Sequence, residues 1–291
     1  MHPDWSAEET AGLTWVEVDT DLRLAVRRWG PSEAPTVLLL PGGGQTWRSW
    51  AATGQRLVRD GFQVLLMDFR GHGDSDWSVV GDYTTDTLVS DVRAVIAGLA
   101  TPPVLVGASM GAMLGLLAEG ESRGGLLSGL VVVDYAPSRS SAGLGKILDF
   151  MSGQDDGFAS VEEAAQRLGL FRGSRPPGDL SGLRAQLRSG TDGRLRWHWD
   201  PKFMTGKGVD SMATPDRARA AARGVKCPVL VVRGAISDVV SDSAAAELAD
   251  LCGGRWLAVP RGSHKLVGED NDVFGSAVLD FLHTDVAQAA R

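Results

Sequence analysis

Apolar residues in this chain fall into short, nearly unbroken runs, separated by longer stretches where they recur every three or four positions. Thr36 to Leu40, Val64 to Met67, Val104 to Val106, Leu130 to Val133, Val229 to Val232 and Trp256 to Val259 are runs of the first kind. A strand covered on both faces has no polar side to present, so these runs predict parallel strands. In the intervening stretches, Thr85 can cap a helix that presents Leu88, Val92, Ile96 and Leu99 on one side. Ser241 can cap another, with Ala244, Leu248 and Leu251 facing inward. Leu13 to Val18 and Leu22 to Arg28 alternate instead, which predicts an antiparallel hairpin closed at Asp19 to Asp21. Strand and helix alternating on this scale predict an α/β fold, a mostly parallel sheet with helices on both faces.

The alternation stops after Asp134 to Pro137. From Ser138 to Arg223 the pattern offers helical pieces and loops but no buried strand. Ser160 and Glu163 form a capping box, Asp179 precedes Leu180, Leu183 and Leu187 at helical spacing, and Thr214-Pro215 reads as a cap followed by proline at the first helical position. Cys227-Pro228 then returns the chain to the sheet. The reading is a core domain made of residues 1–137 and 224–291, with residues 138–223 inserted as a helical cap.

Composition narrows the function classes. The chain has 291 residues, 43% hydrophobic and 22% charged, ordinary for a globular protein. A formal net charge of -7 argues against a nucleic-acid partner and against a polybasic membrane patch. The first residues are polar and acidic rather than a signal peptide, and no apolar stretch approaches the ~18 residues of a membrane span, so the expected location is cytoplasmic. Cys227 and Cys252 stand beside apolar segments without metal-ligand spacing. They read as plain buried thiols, a disulfide being the alternative, and no metal is expected.

The chemistry is concentrated in Gly107-Ala108-Ser109-Met110-Gly111, which follows an apolar run and precedes a helix-compatible stretch. A serine at such a strand-turn-helix elbow is a nucleophile exposed at the edge of a sheet. Acyl transfer by Ser109 then requires a base, an orienting acid and donors for the oxyanion. Among His2, His72, His198, His264 and His283, His264 lies in a loop directly after the last strand, at the carboxyl end where ligands gather in such sheets. The acid is expected at Asp238, shortly after the Val229 to Val232 strand, with Asp134 at the end of the preceding strand as competitor. The order Ser109, Asp238, His264 is that of α/β-hydrolases rather than trypsin-like or subtilisin-like proteases. The oxyanion donors are expected to be the backbone N–H groups of Met110 and Gly43, the latter from the loop Pro41-Gly42-Gly43-Gly44-Gln45. The segment Asp68 to Ser75, with Arg70, His72 and Asp74, reads as a loop that ties itself down. Trp197 and Trp199, flanking His198 in the cap, are either a substrate-binding wall or internal packing of the cap.

Taken together, Pro41-Gly42-Gly43, Arg70-Gly71-His72-Gly73, the Ser109 elbow, Asp238 and His264 resemble the α/β-hydrolase superfamily over nearly the whole chain, most of all its capped carboxylesterases and haloperoxidase-like members. The resemblance implies an eight-stranded, largely parallel sheet, a helical cap, no cofactor and a small-molecule ester substrate. Many members carry His-Gly where this chain has Pro41-Gly42, so that histidine's task is absent. Epoxide hydrolases of this fold attack with aspartate and use cap tyrosines, whereas the nucleophile position here is Ser109 and the two tyrosines, Tyr83 and Tyr135, lie outside the cap. The expected activity is a serine carboxylesterase for small to medium, fairly apolar esters. A carbon-carbon bond hydrolase, lactonase or perhydrolase using the same triad is the alternative. A non-catalytic small-molecule receptor is disfavoured by the complete triad.

Overall fold

A computed structural model describes residues 12–122, 125–140, 142–143, 145, 149, 151, 156–168, 180–205, 214–264 and 272–289. Its frame is one eight-stranded sheet. The strands are β1 (Leu13–Asp19), β2 (Leu22–Trp29), β3 (Thr36–Leu40), β4 (Gln63–Met67), β5 (Val104–Ala108), β6 (Gly129–Val133), β9 (Val229–Gly234) and β10 (Arg255–Val259). Their spatial order is β1-β2-β4-β3-β5-β6-β9-β10. β2 runs antiparallel to both neighbours, and every pairing from β4 to β10 is parallel. All six of the apolar runs are strands of this sheet.

Successive side chains of a strand point to opposite faces, and the core divides accordingly. Leu38, Leu40, Leu65, Leu105, Leu130, Val132 and Val231 pack into one buried cluster, while Val37, Leu39, Val64, Leu66, Val106, Val131 and Val232 pack into the other. Helix α1 (Ala51–Arg59) lies against α9 (Asp272–Phe281). Helices α2 (Thr85–Ala97), α7 (Pro215–Gly224) and α8 (Asp242–Cys252) group around α3 (Met110–Gly120) and one another. α3 is buried from Met110 to Glu119, as a helix apolar on all sides must be. Ser241 caps α8 by accepting from the Ala244 N–H. For α2 the cap is Thr84, one residue before the expected Thr85, its hydroxyl accepting from Thr87 N–H.

Among the described residues between β6 and β9, none adds a strand to this sheet. The described part holds α4 (Val161–Arg167), α5 (Ser181–Arg184), α6 (Lys202–Thr205) and, contrary to expectation, a two-stranded sheet of β7 (Leu187–Ser189) and β8 (Leu195–Trp197). The turn between them carries Gly193 at φ 78°, and Asp192 accepts two bonds from the Arg196 guanidinium at 2.7 and 2.8 Å. Leu187 pairs with Trp197 and both are buried, so the helix expected through Leu187 stops at Arg184 and gives way to a hairpin. The Asp-Gly pair within alternating flanks was the available signal. Asp179 lies outside the described residues. Thr214 caps α7 as expected, accepting from Arg217 N–H at 3.2 Å. That helix, assigned to the insertion from sequence, packs on α3 and α8 beside the sheet.

Candidate active site

β5 ends in a turn that only glycine permits on either side of Ser109. A Cβ on Gly107 would stand 2.5 Å from the carbonyl carbon and oxygen of Gly111, and one on Gly111 would stand 2.6 Å from the carbonyl oxygens of Leu40 and Pro41. Both distances are below any real contact. Ser109 itself has φ 48° and ψ -107°, a conformation that costs a non-glycine residue about 1–3 kcal/mol. The surrounding packing enforces it: Ser109 N–H donates to Val133 O at 2.8 Å and Ser109 O accepts from Met113 N–H at 3.0 Å. The side chain is left half-buried at the sheet's carboxyl edge.

On the neighbouring strand the pattern repeats. Ala108 and Val133 are register partners, so Ser109 and Asp134 leave adjacent strands at the same level, strands that lie about 4.8 Å apart. Asp134 shares the φ of 48° and its N–H donates to Val232 O at 2.7 Å. Its buried carboxylate accepts from Gly234 N–H at 3.0 Å through Oδ1, and from the Ser237 hydroxyl at 2.6 Å through Oδ2. His264 Nδ1 lies 2.5 Å from the same Oδ2. With Nδ1 donating to a carboxylate, the lone pair of the neutral ring is on Nε2.

The carboxylate on His264 is therefore that of Asp134, not of Asp238 as expected from sequence. Asp238 is exposed in the loop after β9, and it is Ser237, one residue earlier, that joins the site. The reason lies two strands away. His264 follows β10, which is separated from β6 by β9, so its loop must cross the end of β9. A Cβ on Gly234 would meet Gly262 O at 2.4 Å and Ser263 O at 2.5 Å. Glycine lets the loop lie flat there, and Ile236 N–H fastens it by donating to Gly262 O at 3.0 Å. The crossing carries the imidazole past β9 and onto the end of β6.

In the loop after β3, Gly42 N–H donates to Gln45 Oε1 at 3.0 Å, Gly44 N–H donates to His72 Nε2 at 3.1 Å, and Gln45 N–H donates to Gly42 O at 3.1 Å. The Gly43 N–H has no acceptor among the described residues. Met110 N–H opens the first turn of α3, where amide donors have no partner within the helix. The two residues are neighbours: Met110 Sδ lies 3.6 Å from where a Gly43 Cβ would be, and Met151 Sδ 4.0 Å from it.

The Asp68 to Ser75 loop ties itself down as expected. Arg70 donates to both oxygens of Asp91 at 2.6 Å and to Asp19 at 3.0 Å; Asp74 accepts from Arg27 at 2.5 Å. Asp68 accepts from the N–H groups of Trp47 and Asp74. Burial, with Asp74 beside it, pushes the Asp68 carboxyl up to about 6. Trp197 and Trp199 are both buried and stack in parallel at 4.8 Å, with Phe158 edge-on to Trp197. His283 is exposed and contacts Asp60 at 2.5 Å, while His2 lies outside the described residues. Cys227 and Cys252 are free thiols, both pushed up to about 12 by burial. Among the described residues there is no group of side chains able to hold a metal and no helix long and apolar enough to cross a membrane.

Comparison with known proteins places the chain in a family. The model of the alpha/beta hydrolase family matches residues 37–277. A 3-hydroxybutyrate-oligomer hydrolase of Cupriavidus necator is 28% identical over 269 residues, 86% of each chain. The protein phosphatase methylesterase 1 of Mus musculus is 30% identical over 140 residues, 46% of this chain and 36% of that one. The chain thus spans little more than a third of the length of the methylesterase it matches. Among solved structures, E-2-(acetamidomethylene)succinate hydrolase superposes with a TM-score of 0.79 at 24% identity, covering 94% of this chain and 99% of that one; at that identity the likeness is one of fold.

Proposed function

Starting from a chain that belongs to the alpha/beta hydrolase family, we propose that it is a serine hydrolase of carboxylic esters. Ser109 is the nucleophile, His264 the general base, Asp134 the acid that orients it, and the N–H groups of Gly43 and Met110 the oxyanion donors. Ser109 Oγ adds to the ester carbonyl while its proton passes to His264 Nε2. The carbonyl oxygen becomes an oxyanion facing the two amides. As the tetrahedral intermediate collapses, the bond to the alkoxy oxygen breaks and that oxygen takes the proton back from Nε2, leaving an acyl-enzyme on Ser109. Water then adds, giving its proton to the same nitrogen. The second collapse returns that proton to Ser109 Oγ and releases the acid.

The observation that carries this reading is the 2.5 Å contact of His264 Nδ1 with Asp134 Oδ2, on the strand next to the one that ends in the strained Ser109. Buried, and already accepting from Gly234 and Ser237, the carboxylate holds one tautomer of the ring and offsets the charge of the imidazolium when it forms. Small to medium, fairly apolar esters are the substrates we favour, because Met110 and Met151 flank Gly43 and methionine makes an adaptable apolar wall. Ester chemistry also accords with relatives whose names specify methylesterase and 3-hydroxybutyrate-oligomer hydrolysis, hydroxybutyrate oligomers being joined by ester bonds.

A fluorophosphonate should label Ser109 alone, and nitrophenyl esters of increasing acyl length should be hydrolysed by the wild type but not by Ser109→Ala. No adduct at Ser109, or undiminished hydrolysis in Ser109→Ala, would overturn the proposal. If a vinylogous diketone is cleaved faster than every ester tested, the triad stands and the ester assignment falls.

A further inference from the structure

Two buried histidines outside the triad grip opposite ends of one residue in the oxyanion loop. His72, on the loop after β4, accepts the Gly44 N–H at Nε2 (3.1 Å), and its Nδ1 lies 3.2 Å from Arg70 O. His198, directly after β8, accepts the Gly73 N–H at Nδ1 (2.9 Å), and its Nε2 lies 3.2 Å from Gly44 O. A backbone N–H can only donate, so the nitrogen facing it must be bare, and the tautomers follow: Nδ1–H for His72, Nε2–H for His198. Four hydrogen bonds run in series, from Gly73 N–H through His198, Gly44 and His72 to Arg70 O. Every ring nitrogen is committed to the main chain.

We propose that His72 and His198 are positioning residues for ester hydrolysis, holding Gly44 so that the Gly43 N–H faces the oxyanion. This rests on the serine-hydrolase reading above and extends it to how its Gly43 donor is built. The conformation of Gly43 is defined by the peptide planes on its two sides. In the Gly42–Gly43 plane the carbonyl accepts from Gln45 N–H; in a trans peptide the N–H points the opposite way, which turns the Gly43 donor away from Gln45. In the Gly43–Gly44 plane the N–H is held by His72. The next carbonyl, of Gly44, is held by His198. A loop of three consecutive glycines has little stiffness of its own, so its geometry comes from these outside partners.

His198 also joins the oxyanion loop to the segment between β6 and β9. The ring stands on a hairpin whose position is secured twice over: Asp200 N–H donates to Gly71 O at 2.8 Å, and the Tyr83 hydroxyl donates to Asp200 Oδ2 at 2.5 Å. His198 N–H donates to Gln186 O, and Trp199 packs edge-on to the ring. Burial lowers His72 to about 4 and takes His198 well below its ordinary value, which suits rings that must each keep one nitrogen bare. The device requires that the hairpin be seated before the oxyanion hole is complete.

Asparagine and glutamine separate positioning from mere support, because an Asn side chain reaches about as far as Nδ1 and a Gln side chain about as far as Nε2. In both histidines the Nε2 atom meets Gly44. His72→Asn and His198→Asn should each lower kcat for nitrophenyl butyrate by about 10- to 100-fold, the scale of a misplacement near 1 Å, with KM within about twofold. His72→Gln and His198→Gln should recover most of that loss. Affinity for a trifluoromethyl ketone, whose hemiketal oxygen needs the same donors, should fall with kcat in the Asn variants. Wild-type kcat in both Asn variants, or equal losses in Asn and Gln that follow the drop in Tm, would overturn the proposal.

Two readouts stand apart from ester turnover, so they decide the matter even if the wild type proves to hydrolyse no ester through Ser109. Deuterium uptake over Gly42 to Gln45 should rise in the Asn variants and not in the Gln variants; unchanged uptake in all four sinks the clamp. Should the Asn variants fail to fold, nitrogen-15 spectra of the wild-type histidines decide. His72 must be the Nδ1–H tautomer and His198 the Nε2–H tautomer, and either one reversed ends the inference.

Discussion

The imidazole at the rim of the sheet and the two buried ones that hold Gly44 are the same side chain in different surroundings. His264 keeps 18% of its side-chain surface in solvent and leans on a buried carboxylate; His72 and His198 are almost wholly buried and touch backbone through both nitrogens. In the proposed reaction the carboxylate at Nδ1 of His264 orients the ring, which leaves Nε2 to meet the Ser109 proton. A ring whose bare nitrogen faces a backbone N–H cannot gain a proton without breaking that bond in a dry site. Catalysis by histidine depends less on its ordinary pKa than on which nitrogen is left over and what faces the other.

The comparison breaks hardest at the carboxylate. Asp134→Asn should lower kcat for a nitrophenyl ester by about 10⁴-fold, because the amide favours the wrong tautomer of its histidine partner. Asp238→Asn should stay within about twofold in the same assay. The reverse ranking would return the acid to the loop after β9. The next largest effect belongs to the supporting loop: Asp91→Asn leaves the buried Arg70 without its bidentate partner, and breaking such a pair costs about 3–5 kcal/mol, to be read from urea unfolding.

A smaller effect distinguishes the buried histidines by pH. His72 is lowered to about 4, so between its unfolded value near 6.5 and 4 the unfolded chain binds the proton and the fold does not. Stability from this site is present above about pH 6.5 and is lost as pH falls towards 4, amounting to about 3 kcal/mol at the most. Asp68 works the other way, its folded value raised to about 6, and adds stability as pH falls through the same window. His72→Gln should therefore reduce the loss of stability between 6.5 and 4, while His198, also lowered by burial, keeps its own contribution. A slope equal to that of the wild type would refute the assignment. His283→Ala, removing an exposed contact with Asp60, should change stability by less than about 1 kcal/mol.

Much of the site could be read along the chain because it is local. The Ser109 elbow announces itself through glycines two residues to either side, whose Cβ atoms would collide with neighbours close in sequence or in the adjacent loop. His264 follows a strand, and the Gly42 to Gly44 run follows another. The acid was less legible for a plain reason: Asp134 and Asp238 both come soon after a buried strand, and nothing local says which one a loop from β10 will meet. The participation of Ser237 and His198 was hidden for the same cause, since each acts through contacts to residues far away in the chain.

Periodicity and turn chemistry are properties of neighbouring residues, and they alone determined the six core strands, the caps of α7 and α8, and the elbow that holds the proposed nucleophile. The hairpin of β7 and β8 was within their reach, through its Asp-Gly turn, but became plain only in three dimensions. Partner choice belonged to the tertiary structure. Gly234 allows a loop to pass over the end of β9, and that passage, a matter of strand order, brings His264 to Asp134. Two histidines about 125 residues apart in sequence find one glycine because separate loops converge on it. Hydrogen-bond geometry is decided by tenths of an ångström, and only the packed chain sets distances that small between residues so widely separated.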